Sequence, residues 1–79
     1  MITPDQCLEA RELLGWSRVR LGSRCGLSHT SLRRFELGVW FPKSERLAAV
    51  QHALEAAGVI FVEENGEEPG VRLRKQETR

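Results

Sequence analysis

What this chain lacks excludes much before any motif is read. It carries no nucleophile–base pair, no cluster of metal-ligating side chains and no glycine loop built to cradle phosphate. At 79 residues it is one small domain, too short to enclose a substrate pocket, with a core that is marginal unless well packed or dimeric. An enzyme is the poorest reading, and neither a cofactor nor a metal is expected. Cysteine is scarce. Cys7 and Cys25 both fall at apolar helical positions, and no second pair or histidine partner sets up a metal site. They read as buried free thiols of a reducing cytosol. No apolar run is long enough to span a membrane and no charged-then-apolar leader is present, so a cytoplasmic protein without membrane attachment is expected. A dominant charge sign is missing as well. Twelve Lys and Arg against eleven Asp and Glu leave +1, which argues weakly against nucleic acid. The distribution matters more than the sum, because acids gather toward the C-terminus and arginines in the middle.

That middle, Ser17 to Gly38, is what the chain is organised around. It holds two short helical patterns separated by Cys25-Gly26-Leu27, each opened by a serine able to cap it, Ser17 and Ser28. The first pattern has apolar Val19, Leu21 and Cys25 around a small Gly22; the second has Leu32, Phe35 and Leu37, with Leu27 in the turn. A glycine-containing turn of about three residues between two short helices marks a helix-turn-helix. Arg18, Arg20, Arg24, Arg33 and Arg34 all lie here, and no acid appears before Glu36. Burying Leu32 and Phe35 leaves His29, Thr30, Arg33 and Arg34 on the outer face of the second helix.

The run L-G-W-S-R-V-R-L-G-S-R-C-G-L-S-H-T-S-L-R-R-F-E-L-G-V-W-F-P resembles the helix-turn-helix of phage repressors of the Cro and lambda-repressor type, the XRE family. Gly15, Trp16, Ser17, Leu21, Gly26, Leu27, Ser28, Leu32, Phe35, Glu36, Gly38 and Pro42 match its pattern, and the likeness spans about residues 7 to 59. The resemblance implies that His29 and Thr30 occupy the leading base-reading positions in a major groove, with Arg33 and Arg34 one turn further along. An arginine there can make a bidentate contact to guanine O6 and N7, or bind phosphate only. Ser17, Arg18 and Lys43 become phosphate contacts, while Ser31 touches phosphate or caps locally. It also implies an ion pair between Arg11 and Glu36, tying the first helix to the third, and makes Trp16 a lid on the core. The departures are Arg18 in place of a usual Gln, Gly22 in place of Ala, and Leu37 in place of a frequent Asn. Arg18 still reaches a phosphate, but bracing of the reading helix by that Gln is expected to be lost. Gly22 keeps the helices close at a cost of about 1 kcal/mol in propensity.

Around this centre the sequence predicts helices over about 4–14, 18–25, 29–37 and 45–57. Thr3 caps the first, with Pro4 and Asp5 in its opening turn; Cys7, Leu8, Ala10 and Leu14 form its stripe, and Gly15 stops it. Ser44 is the expected cap of the fourth. Leu47, Ala48, Val50, Ala53, Leu54 and Ala57 supply its apolar side, and His52 is a surface residue. Between them the loop from Val39 to Lys43 is unusually apolar, and Trp40 and Phe41 are expected to fold back on the core. After Gly58 the period changes: Val59–Glu63 and Val71–Arg74 read as strands around Asn-Gly and Pro-Gly turn signals. The expected fold is mainly α, a lambda-repressor-like helix-turn-helix domain of four helices with a C-terminal β-hairpin in place of a fifth helix. Residues 1–58 form the DNA-binding domain, 59–75 the hairpin and 76–79 a frayed tail. An isolated hairpin is marginal, so Val59, Phe61, Val62, Val71 and Leu73 are expected to pack on the helices or pair with another copy in a homodimer. Two functions remain open. One is a regulator that binds double-stranded DNA at a palindromic operator; the other is a protein-interaction module, an antitoxin or antiactivator, using the 39–43 loop and the strands on a protein partner.

Overall fold

A computed structural model describes residues 2–62 and 70–73. Four helices, α1 (Pro4–Leu14), α2 (Arg18–Cys25), α3 (His29–Glu36) and α4 (Ser44–Ala56), are followed by an antiparallel hairpin of β1 (Val59–Val62) and β2 (Gly70–Leu73). The fold is therefore the expected mainly helical one with a terminal hairpin. The expectations for Glu63, Arg74 and the 76–79 tail lie outside the described residues.

The helix boundaries follow from local chemistry. The Thr3 hydroxyl accepts from Gln6 N at 3.1 Å while the Gln6 side chain accepts from Thr3 N at 3.0 Å, a reciprocal capping box. Gln6 also donates through Nε2 to the Gly70 carbonyl at 3.2 Å, so one side chain starts α1 and ties it to β2. Ser17 and Ser28 cap α2 and α3 by accepting from Arg20 N and Ser31 N, each at 3.1 Å. Ser44 is not the cap of α4. It lies inside the helix, and Lys43 takes the cap position with no side-chain bond, because the extended backbone that follows buried Pro42 ends one residue earlier than the polar pattern suggests. Helix α3 ends at Glu36 rather than 37, and α4 runs 44–56 rather than 45–57.

The core is one cluster drawn from every element. Cys7, Leu21, Leu32, Phe35, Val50, Leu54 and Val59 are fully buried, with Trp16 as a lid. Val19, expected among them, is instead 64% exposed. Leu21, Gly22 and Cys25 define the inner face of α2, and a residue two before Leu21 lies about 200° around the helix. Leu37, beyond the end of α3, is exposed too. Gly22 is where α2 meets the turn. A Cβ built there would be driven into the Leu27 carbonyl oxygen, and would also lie 3.3 Å from that carbonyl carbon.

The hairpin is part of this core. Val59 pairs with Leu73 and Phe61 with Val71, and in a strand alternate residues share a face. That face turns toward the helices: β1 packs on α4 and α1, and β2 on α1. Val59 is 2% exposed, and Phe61 and Val71 pack against the cluster. Of the two arrangements expected for the hairpin, packing on the helices is thus present, with Val59 buried and Phe61 and Val71 half-buried in the chain's own core. Ile60 and Leu73 are the exposed apolar side chains of the pair, and Val62 is half-buried. No helix among the described residues is long and apolar enough to cross a membrane.

Candidate nucleic-acid interface

The two sides of α3 differ sharply. Leu32, Phe35 and Glu36 are buried, whereas His29, Thr30, Arg33 and Arg34 are exposed. These four are spaced so that they share one face of the helix, and none of them makes a side-chain hydrogen bond or ion pair among the described residues. The hydroxyl of Ser28 donates to Ser31 Oγ at 3.1 Å, so the local one of the two roles expected for Ser31, inside the cap of α3, is present.

Behind this face α3 is fixed by its last residue. Arg11 Nε donates to Glu36 Oε2 at 2.8 Å and Arg11 Nη2 to Oε1 at 3.0 Å. Its third nitrogen, Nη1, donates to the Trp16 carbonyl at 2.9 Å. The expected ion pair is present and bidentate, the geometry in which a guanidinium matches a carboxylate best. Arg18 also takes part, its Nε donating to Glu36 Oε1 at 3.0 Å. The expectation that bracing from this position is lost is therefore overturned, because a guanidinium in place of Gln still reaches the carboxylate that closes α3. The Cys7 thiol completes the shell by donating to Oε2 at 3.5 Å.

The Glu36 side chain is 2% exposed. Burial alone would raise its pKa, but the hydrogen bonds and charge of Arg11, with smaller contributions from Arg18 and Cys7, hold the carboxyl below its ordinary value. Hydrogen bonding to Glu36 outweighs burial for Arg11 and raises its pKa further. Burial, reinforced by the Glu36 charge, pushes the Cys7 thiol far up, so it stays neutral. Burial raises Cys25 likewise. Both cysteines are free and buried, as their apolar spacing indicated.

Further cations surround this lock. Arg20 and Arg24, exposed on α2, hold their guanidinium carbons 5.0 and 5.2 Å from the Trp16 ring centroid. Both therefore cover the core lid, and neither is simply solvated. Lys43 is exposed and free of ion pairs among the described residues. Arg46 has a role the sequence does not suggest: its Nη1 donates to the Cys25 carbonyl at 3.0 Å, closing the end of α2 from α4. Nothing in the local pattern around residue 46 gives this away, since the contact joins positions 21 apart. The Thr-x-x-Gln spacing at 3–6, by contrast, does announce the role of Gln6.

The 39–43 loop divides. Trp40 is half-buried against the core and Pro42 is buried, whereas Phe41 is 58% exposed with its ring edge-on to Phe35, centroids 5.6 Å apart. The expected fold-back holds for Trp40 and only in part for Phe41. Beside the loop, Leu27, Trp40, Pro42, Lys43, Glu45 and Arg46 border an open cleft of about 280 Å³. No group of His, Cys, Asp and Glu among the described residues is placed to hold a metal. Compared with known proteins, the chain matches no family model and no curated sequence.

Proposed function

We propose that the chain is a sequence-specific DNA-binding regulator of the cytoplasm, resembling XRE-type repressors, that acts as a homodimer with α3 in the major groove. The observation that carries this reading is the asymmetry of α3. Its outer face offers His29, Thr30, Arg33 and Arg34 unpaired among the described residues, while its inner face is anchored by Leu32, Phe35 and a three-helix ionic lock. Rigid support behind a cationic, acid-free surface is what base reading requires, since donors must arrive at base edges in fixed register. Lys43 and the hydroxyl of Ser17 flank that surface as phosphate contacts. The reading includes no catalytic step and no cofactor.

A selection on random duplex followed by a salt titration tests it. The expected result is a palindromic consensus, with affinity falling steeply as salt rises through counterion release. Arg33→Ala and Arg34→Ala should each relax preference at one base pair per half-site, by about 1–3 kcal/mol of discrimination. A chain that enriches no sequence, or binds duplex no better than any polyanion, is not this regulator.

One observation favours a second reading. Leu37, Val39 and Phe41 leave exposed apolar surface directly after α3, as a protein-interaction module on the same scaffold would. Sedimentation of the wild type and of Phe41→Ser separates the roles: lost self-association with lost operator binding assigns the patch to the dimer. Unchanged behaviour in both leaves it for a different protein.

A further inference from the structure

The open cleft of about 280 Å³ beside the 39–43 loop is built from three separate segments. Leu27 comes from the turn before α3, Trp40 and Pro42 from the loop after it, and Lys43, Glu45 and Arg46 from the start of α4. Leu27 and Trp40 are half-buried and Pro42 is buried, which makes one side of the cleft apolar. The other side is charged and does not balance: two cations stand against one carboxylate, and none of the three forms an ion pair among the described residues. Arg46 is already fixed. Its Nη1 donates to the Cys25 carbonyl at 3.0 Å, and it lies so close over Gly26 that an added Cβ there would come within 2.7 Å of it. The other N–H groups of Arg46, the Lys43 ammonium and the Trp40 indole N–H have no acceptor among the described residues. Against these donors the cleft sets a single side-chain acceptor, the Glu45 carboxylate.

We propose that this cleft is an effector site for a small aromatic carboxylate, and that its occupant weakens DNA binding by taking Lys43. The volume lies at the foot of the range for small-molecule sites, about 300–1,000 Å³, so it admits one or two rings with one anionic group. The rings belong on the side of Leu27, Trp40 and Pro42, where an aromatic pair with Trp40 adds to the area buried. The carboxylate accepts from Lys43 and Arg46, and its one negative charge matches the one positive charge left over. A bare phosphate leaves the apolar side uncovered, and a neutral ring leaves the cations unmatched. The regulatory half of the proposal rests on the DNA-binding reading above, in which Lys43 meets a backbone phosphate; the site itself does not. Because the two ligands share Lys43, each lowers the affinity for the other by the same factor.

The probes are naphthoate, its neutral amide naphthamide, and inorganic phosphate, each titrated into the isotope-labelled full chain without DNA and followed by amide chemical shifts. Naphthoate should move the Trp40 indole N–H and the amides of Leu27, Lys43, Glu45 and Arg46, with a dissociation constant on the order of 1 mM or tighter. It should bind about tenfold tighter than naphthamide or phosphate, the size of one charge-assisted bond. Glu45→Gln removes the one competing acid and should tighten naphthoate about threefold, whereas Lys43→Gln should weaken it about threefold. Both side chains are exposed and unpaired among the described residues, so both variants should fold. On the selected operator at matched ionic strength, saturating naphthoate should lower affinity about fivefold and flatten the plot of log K against log salt by about one ion. Lys43→Gln should abolish that effect. Equal binding of naphthoate and naphthamide makes the cleft a plain apolar surface, and phosphate as tight as naphthoate makes it a plain anion seat; either overturns the site, as do shifts confined to other residues. Naphthoate that occupies the cleft yet leaves operator affinity unchanged overturns the effector role. Wild type that fails to bind duplex in a salt-dependent way brings down the DNA reading and the effector role with it, while the titration without DNA still decides the site.

Discussion

At the scale of single residues the molecule turns on Glu36, where three helices meet. A nearly buried carboxylate is tolerable only because donors surround it, and those donors hold its pKa below the ordinary glutamate value. The sign of the linkage follows. A carboxyl whose folded pKa lies below its unfolded value contributes stability that is complete above the unfolded pKa, about 4.3 for glutamate. The contribution is lost as pH falls below that value and through the depressed folded one. The urea midpoint should therefore fall on acidification below about pH 4, and Glu36→Gln should flatten that part of the profile while lowering the plateau at neutral pH. Arg11→Ala should be harsher, costing about 3–5 kcal/mol, because it leaves a buried carboxylate with half-buried Arg18 and a neutral thiol as its remaining donors. A neutral-pH loss below about 1 kcal/mol, read by urea unfolding, would show that the lock is ornamental to folding. The Arg11–Glu36 pair was legible from the sequence through a family pattern. Arg18 was not, since its partner is chosen by how far α2 approaches α3, and no spacing along the chain encodes that distance.

At the scale of elements, the close approach of α2 to its own turn decides what Gly22 is for. Propensity alone says that Gly22→Ala should stabilise α2 by about 1 kcal/mol. The Leu27 carbonyl stands where the new methyl would go, and backbone cannot step aside as a flexible side chain can. Gly22→Ala should therefore lower stability by about 1–3 kcal/mol net, with a reduced thermal midpoint as the readout; a raised midpoint would mean that the turn relaxes freely. The helix starts at Thr3, Ser17 and Ser28 were legible because a cap is a local contact over three residues. The start of α4 differs by one, since Ser44 has the right chemistry and the wrong backbone. Val19 departs for a related reason: over only eight residues the apolar stripe is too short to distinguish an inward residue from one a half-turn away.

At the scale of the whole molecule the hairpin ceases to be an accessory. Val59 sits in the same cluster as Phe35 and Leu54, so Val59→Ala should cost about 2–3 kcal/mol from lost burial and the cavity left behind. Ile60→Ser, one residue along and facing out, should stay within about 0.5 kcal/mol. Equal effects of the two in urea unfolding would mean that the strand does not dock as described. Val59, Phe61 and Val71 pack in the chain's own core, and Ile60, Leu73, Leu37, Val39 and Phe41 are exposed apolar side chains.

By itself the sequence determined the four helices, most of their caps, the hairpin and the division of α3 into an apolar side and a cationic one. Each of these is a repeat or a contact that closes within a few residues. Only the tertiary structure decided that Arg18 joins the lock on Glu36, that Arg46 closes α2, that the Leu27 carbonyl crowds Gly22, and that the hairpin belongs to the core. Those are matters of distance between segments far apart in the chain, set when all the elements compete for one small interior, and local pattern carries no measure of that distance.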